Sequence, residues 1–184
     1  MKKAALVTTA IALAITGVSL ISSCSKSSSS STKTLYDTLG GTTMVADPSN
    51  SGTQIEAGRL AVRSVIDSTI FVIAGDPQLQ PYFTTLLGEV TNGNLSGFTE
   101  LSKNLTDFVC AATGSKNFHY TGLSMTDAHN PATNSRMAQK ANSADFDQFV
   151  LDVTKGATKC NVPANIQARL GTILYSIEGQ VVQR

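Results

Sequence analysis

Apolar side chains recur along this chain at helical rather than strand spacing. Val62, Val65, Ile66, Thr69, Ile70 and Ile73 fall on one stripe of a 3.6-residue helix. Leu95, Phe98, Leu101, Leu105, Phe108, Val109 and Ala112 form a second stripe. Phe146, Phe149, Val150, Val153 and Ala157 form a third, with Ser143 placed to cap its first turn. A fourth stripe, Ile166, Leu170, Ile173, Leu174, Ile177 and Val181, is opened by Pro163, whose missing N–H costs little in a first turn. Polar residues stand opposite each stripe, so each helix has one face to bury. Four long amphipathic helices with little strand alternation predict an all-α fold.

The connections read as polar loops. Ala46 to Gly52 (ADPSNSG) is one, and Asp76-Pro77 starts a turn with room for a short helical turn from Gln78 to Phe83. Gly88 to Gly97 reads as another loop, built around Asn92-Gly93-Asn94. Asn130 to Ala141 is polar and contains Pro131.

The N-terminus departs from this pattern. A basic start, Met1-Lys2-Lys3, precedes an almost unbroken apolar run from Ala4 to Ile21, and Ile21-Ser22-Ser23-Cys24 closes it with small residues before a cysteine. That layout resembles a bacterial lipoprotein signal over residues 1–23, with Cys24 as the lipidated residue. The run is marginal in length for a membrane-spanning helix. The serine-rich stretch to Lys33 cannot bury anything and is expected to act as a tether over residues 24–33. The globular domain is then residues 34–184, enough for one real core. The expected location is outside the cytoplasm, held through acyl chains on the outer membrane and facing the periplasm.

Charge and cysteine content narrow the chemistry. Of 14 Lys and Arg residues, Lys2 and Lys3 lie in the leader, which leaves the domain near neutrality against 13 Asp and Glu. No basic run exists, so nucleic acid is not an expected partner. Cys110 and Cys160 are either an exported disulfide or two free thiols. No Cys-x-x-Cys, no Gly-x-Ser-x-Gly and no Glu-x-x-His occurs, which excludes zinc ribbons, c-type haem attachment, nucleophile elbows and di-iron bundles. Two histidines remain, His119 and His129. His129 lies beyond the second stripe, past Gly114 and Gly122, which free the backbone to turn. The apolar faces at Ile70, Leu101, Leu105 and Phe108 are positioned to cover a flat macrocycle, and Met125 stands one helical turn before His129. Ordinary core packing accounts for the same residues equally simply.

Several blocks, in order, resemble the truncated haemoglobins. Leu35 to Gly41 (LYDTLGG) matches the family's opening, and Asp76 to Phe83 (DPQLQPYF) the end of its second helix. Phe108 to Ser115 resembles the end of the distal helix. Tyr120 to His129 carries the full Tyr-x-Gly-x-x-Met-x-x-x-His block, Asp145 to Phe149 the Asp-Phe-Asp-x-Phe block, and Val162-Pro163 the start of the last helix. The resemblance covers about residues 34 to 182 and implies a two-over-two helical sandwich. It also implies one haem b whose iron is ligated by His129, with Phe83, Tyr120 and Met125 among the haem-lining residues.

The distal side departs from the family. Its usual Phe-Tyr pair falls on Thr69 and Ile70; a one-residue slip puts Phe71 at the tyrosine position, still without a hydroxyl. The positions that often carry glutamine are Leu101 and Leu105. The loops after Gly41, Phe83 and His129 are enlarged. The implied function is binding of a diatomic gas, namely oxygen, nitric oxide or carbon monoxide, in an apolar pocket, or electron transfer to a redox partner that the sequence does not name. Two rivals are a haem-free interaction module on the same fold, and a haem enzyme, which the lack of distal polar groups disfavours.

Overall fold

The computed structural model describes residues 32–184, which form one compact unit. The leader and tether readings, including Cys24, fall on residues outside these. No helix among the described residues is long and apolar enough to cross a membrane.

The described chain is mostly helical. In order, α1 spans Leu35–Thr38, β1 Met44–Ala46, β2 Gln54–Glu56, α2 Ala57–Ala74, a 3₁₀ turn Gln80–Phe83, α3 Thr84–Thr91, α4 Ser96–Ala112, α5 Met125–Ala128, α6 Ser143–Lys159, α7 Ala164–Tyr175 and α8 Glu178–Val181. Helix α2 packs against both α4 and α6, α6 packs against α7, and α5 meets α8. The tightest crossing is at Gly156 of α6, where an added Cβ would meet the side chain of Thr69 and lie 2.9 Å from the Thr69 backbone nitrogen of α2. Only a residue without a Cβ lets the two helices approach this closely.

The four stripes become helices, with corrections at their edges. The cap of α6 is Asn142, not Ser143. Its side chain accepts from the Asp145 N–H at 3.0 Å, and Asp145 accepts from the Asn142 N–H at 3.0 Å, a reciprocal capping box. Pro163 is the cap residue of α7 rather than part of its first turn, and the fourth stripe breaks at Ser176 before resuming as α8. The Gly88–Gly97 loop is shorter than expected, because α3 runs through Gly88 to Thr91. Ala46 to Gly52 contributes to the turn of a small antiparallel hairpin, Met44 opposite Glu56, which the sequence pattern does not signal. Three-residue strands offer too few positions for alternation to show.

The hairpin is held from outside. The Tyr36 hydroxyl donates to Glu56 Oε2 at 2.7 Å and the Asn117 amide to Glu56 Oε1 at 2.6 Å. Glu56 is thus a buried carboxylate with both oxygens accepting. Burial, aided by the Glu56 hydrogen bond, pushes the Tyr36 hydroxyl well above the ordinary phenol range. The Arg59 guanidinium lies 4.2 Å over the Phe118 ring and pairs with buried Asp107 at 2.6 Å. Together these contacts tie the segment after α4 to the start of α2.

Candidate functional site around His129

His129 is the C-cap residue of α5, a single turn opened by Ser124, whose hydroxyl accepts from the Asp127 N–H. The turn directs the imidazole back along its own helix. Nδ1 lies 2.8 Å from the Met125 carbonyl oxygen. A carbonyl only accepts, so Nδ1 carries the proton and the Nε2 lone pair is left available. Burial lowers the His129 pKa, against the opposing pull of the Met125 carbonyl, so the ring is neutral at pH 7. A half-buried neutral imidazole with a bare Nε2 is the form that ligates a metal. Among the described residues no group of three or more His, Cys, Asp or Glu side chains gathers that could hold a metal ion.

The expected lining residues fall into two neighbouring groups and one outlier. Ile70 is buried in the central cluster with Tyr36, Val62, Ile66, Val109 and Cys110, and Leu101, Leu105 and Phe108 pack against that cluster while remaining half-buried. The Tyr120 ring meets Phe108 edge-on at 5.7 Å and donates its hydroxyl to the Leu123 carbonyl at 2.6 Å. Met125 packs instead on the second cluster, formed by Phe146, Val150, Val153, Leu174 and Val181. Phe83 sits apart from both, half-buried against Ile73, Leu79, Tyr82 and Ala141.

Helical phase resolves the Ile70 and Phe71 alternatives. Ile70 is 8 % exposed and Phe71 is 69 % exposed, so Ile70 is the inward-facing position. Thr69 is also buried, but its hydroxyl donates to the Val65 carbonyl at 2.8 Å and is occupied. No donor side chain stands at Ile70, Leu101 or Leu105.

Helix α4 buries a different face from the one its stripe suggests. Gly97, Thr106, Asp107, Val109 and Cys110 are its buried residues, of which only Val109 belongs to the stripe, and the large apolar side chains Leu101, Leu105 and Phe108 are only half-buried. Asp107 tolerates burial because Arg59 and Lys103 both donate to it; burial raises its carboxyl, and the two cations bring it below the ordinary range. The helix therefore leaves an apolar flank incompletely covered.

Two residues that the stripes contained were not singled out for the site. Leu170 of α7 packs against both the central and second clusters, and Phe149 of α6 against the second and third. They are the hydrophobic links between the groups. Nothing local distinguishes them, since contact across three helices leaves no mark on spacing.

Gly114 turns the chain in the left-handed region at φ +96°, as its position after α4 requires. Gly122 has another role. An added Cβ there would come within 2.6 Å of the Tyr120 hydroxyl. His119 is exposed on the intervening loop. Cys110 and Cys160 are both free thiols. Burial pushes Cys110 to about 11, and Cys160 donates to the Ser64 carbonyl at 3.3 Å. A shallow groove on α6 and α7, lined by Thr154, Gln167, Ala168, Gly171 and Tyr175, does not involve His129 or the α4 flank.

No protein-family model matches the chain, and no curated protein matches it in sequence.

Proposed function

We propose that this domain is a haem-binding globin of the truncated, two-over-two kind, which holds one haem b through His129 and binds a diatomic gas. Cys24 is the lipid anchor of the exported protein. The observation that carries the reading is the pairing of two features. His129 is a neutral imidazole whose Nδ1 is committed to the Met125 carbonyl, and the large side chains of the α4 flank stay half-exposed. An imidazole oriented by a carbonyl fits an axial ligand, and an incompletely covered apolar flank fits a wall for a flat apolar cofactor. The packing of α2 with α4, of α6 with α7, and of α2 across α6 supports a two-over-two arrangement.

Haem would supply the ferrous iron at which a gas binds; the residues supply orientation and exclusion of water. Met125 fixes the His129 ring through its carbonyl. Ile70, Leu101, Leu105 and Phe108 would supply an apolar wall for the bound group. Oxygen, nitric oxide and carbon monoxide are the small ligands such a wall admits, and polar substrates gain nothing there. A chemical step on the ligand would need a donor aimed at developing charge, which Ile70, Leu101 and Leu105 lack, so gas binding or electron transfer is favoured over an enzyme.

Titration of the purified domain with haem tests this. One equivalent should bind and give a sharp Soret band that shifts on reduction and again with carbon monoxide. A domain that stays folded and colourless through the titration would support a haem-free interaction module instead.

A further inference from the structure

Phe71, Leu95 and Phe98 form an apolar patch at one end of the domain. Phe71 is the most exposed large apolar side chain among the described residues, at 69 %, and Leu95 is 57 % exposed. The Phe71 and Phe98 rings lie 5.9 Å apart, and Leu95 precedes Phe98 by one helical turn. Phe98 also packs on the central cluster, so the patch is rooted in the core. A single exposed aromatic needs no explanation; Phe71 in ring contact with half-buried Phe98, with exposed Leu95 one turn away, forms a surface that water covers poorly.

Three charged residues of α2 and α4 have polar partners. Glu100 takes Arg136 at 3.0 Å, Lys103 takes Asp107 at 2.7 Å, and Asp67 accepts from the Ser102 hydroxyl. The patch residues themselves carry no charge, so its occupant must offer apolar surface.

We propose that Phe71, Leu95 and Phe98 rest in the interfacial layer of the bilayer to which the chain is anchored. The proposal builds on the reading that Cys24 carries acyl chains. Cys24 is eight residues before Thr32, so the tether spans at most about 28 Å when fully extended. Gly58, at the start of α2, packs on Tyr36 near the point where the chain enters the domain. Phe71 lies thirteen residues further along α2, roughly 20 Å at the helical rise. The patch is thus within reach of the surface holding the anchor. Aromatic rings favour that interfacial layer. Insertion of so few side chains would be too weak to recruit a free domain, but a short tether keeps the local surface concentration high enough for it to count. Docking this way would fix which side of the domain faces the lipid.

The chain contains no tryptophan, which makes a clean test. Phe71→Trp and, as a control at another exposed apolar position, Leu151→Trp are placed separately in the acylated full chain on zwitterionic vesicles. Emission is compared between vesicles of ordinary and brominated lipid, so that quenching by haem cancels in the ratio. The Phe71→Trp emission should fall about twofold in brominated vesicles, as for a side chain at the headgroup–acyl boundary, and Leu151→Trp emission should not change. The fall should persist at high salt and without anionic lipid. Equal quenching of both, or of neither, overturns the proposal, as does lipid-independent dimerisation that shields position 71. A second arm holds the chain by an N-terminal histidine tag on a chelating lipid. Selective quenching there, in a protein whose Cys24 proves unacylated by mass spectrometry, would sink the anchor and leave the patch standing. Acylated Cys24 without selective quenching would do the reverse.

Discussion

The Nδ1 atom of His129 lies 2.8 Å from the carbonyl oxygen of Met125, one helical turn before it. This one contact assigns the tautomer, orients the ring and leaves Nε2 as its available lone pair. It depends on α5 forming, and α5 is only one turn long, started by the Ser124 cap. The proposed ligand is therefore set by a local sequence motif, and its surroundings are set by packing from distant helices.

The α2–α6 crossing should be intolerant of a methyl group. Gly156→Ala gains helix propensity, about 1 kcal/mol, but drives a Cβ into the backbone of Thr69. Overpacking against backbone costs roughly 1–3 kcal/mol, so a net loss is expected, with a melting temperature lower by several degrees. Gly171→Ala, where an added Cβ meets nothing within 4 Å, should stabilise α7 by about 0.5–1 kcal/mol. Thermal unfolding of the two variants reads both signs.

Acid should lower the domain's stability in two stages. Burial alone would raise the Asp145 carboxyl, but hydrogen bonds from Tyr82, the Asn142 N–H, Arg184 and Gln78 outweigh it and hold the pKa at about 2. A depressed carboxyl stabilises above its unfolded pKa, here 3.8, and that stability is lost as pH falls from about 4 towards 2. His129 acts at higher pH. Its folded pKa is lowered, so the unfolded chain takes up the proton first and stability declines as pH drops below about 6.5. Asp145→Asn should cost about 2 kcal/mol at pH 6 and flatten the lower stage only. Urea unfolding across pH 2.5 to 7 checks this; loss of the upper stage in Asp145→Asn would contradict it.

Long stripes made the helices legible, because burial of one helical face dictates spacing over many residues. The same logic separated Ile70 from Phe71. The hairpin, α3 and the break between α7 and α8 were not legible, since each is fixed by contacts made elsewhere. Glu56, for example, is held by Tyr36 and Asn117. The candidate site's residues Tyr120, Met125 and His129 stand out in the sequence because they lie in one continuous block. Phe83, which the family resemblance adds to the lining, packs against Ile73 and Tyr82 in a separate cluster. The burial of Asp107 on α4 also escaped notice, because its partner Arg59 lies 48 residues earlier.

If haem binds as proposed, with Ile70, Leu101 and Leu105 on the gas side, discrimination in favour of oxygen should be weak. A hydrogen bond to a partly charged ligand contributes roughly 1.5–3 kcal/mol, and each 1.4 kcal/mol is tenfold. Ile70→Tyr should therefore slow oxygen release about tenfold to a hundredfold and carbon monoxide release far less. Stopped-flow release rates for both gases decide it. An unchanged oxygen rate in Ile70→Tyr, with slow release already in the native protein, would mean that another residue donates; Asn92 and Asn94, beyond α3, are the first to test.

The central claim is that His129 holds a haem iron. Visible absorption spectra of the haem-titrated protein, oxidised and reduced, compared with His129→Ala and His119→Ala, test it most directly. The native protein should show a sharp, redox-responsive Soret band, His119→Ala the same band, and His129→Ala its loss or conversion to a weakly ligated form. A native-like band in His129→Ala, or its loss in His119→Ala alone, would contradict the account.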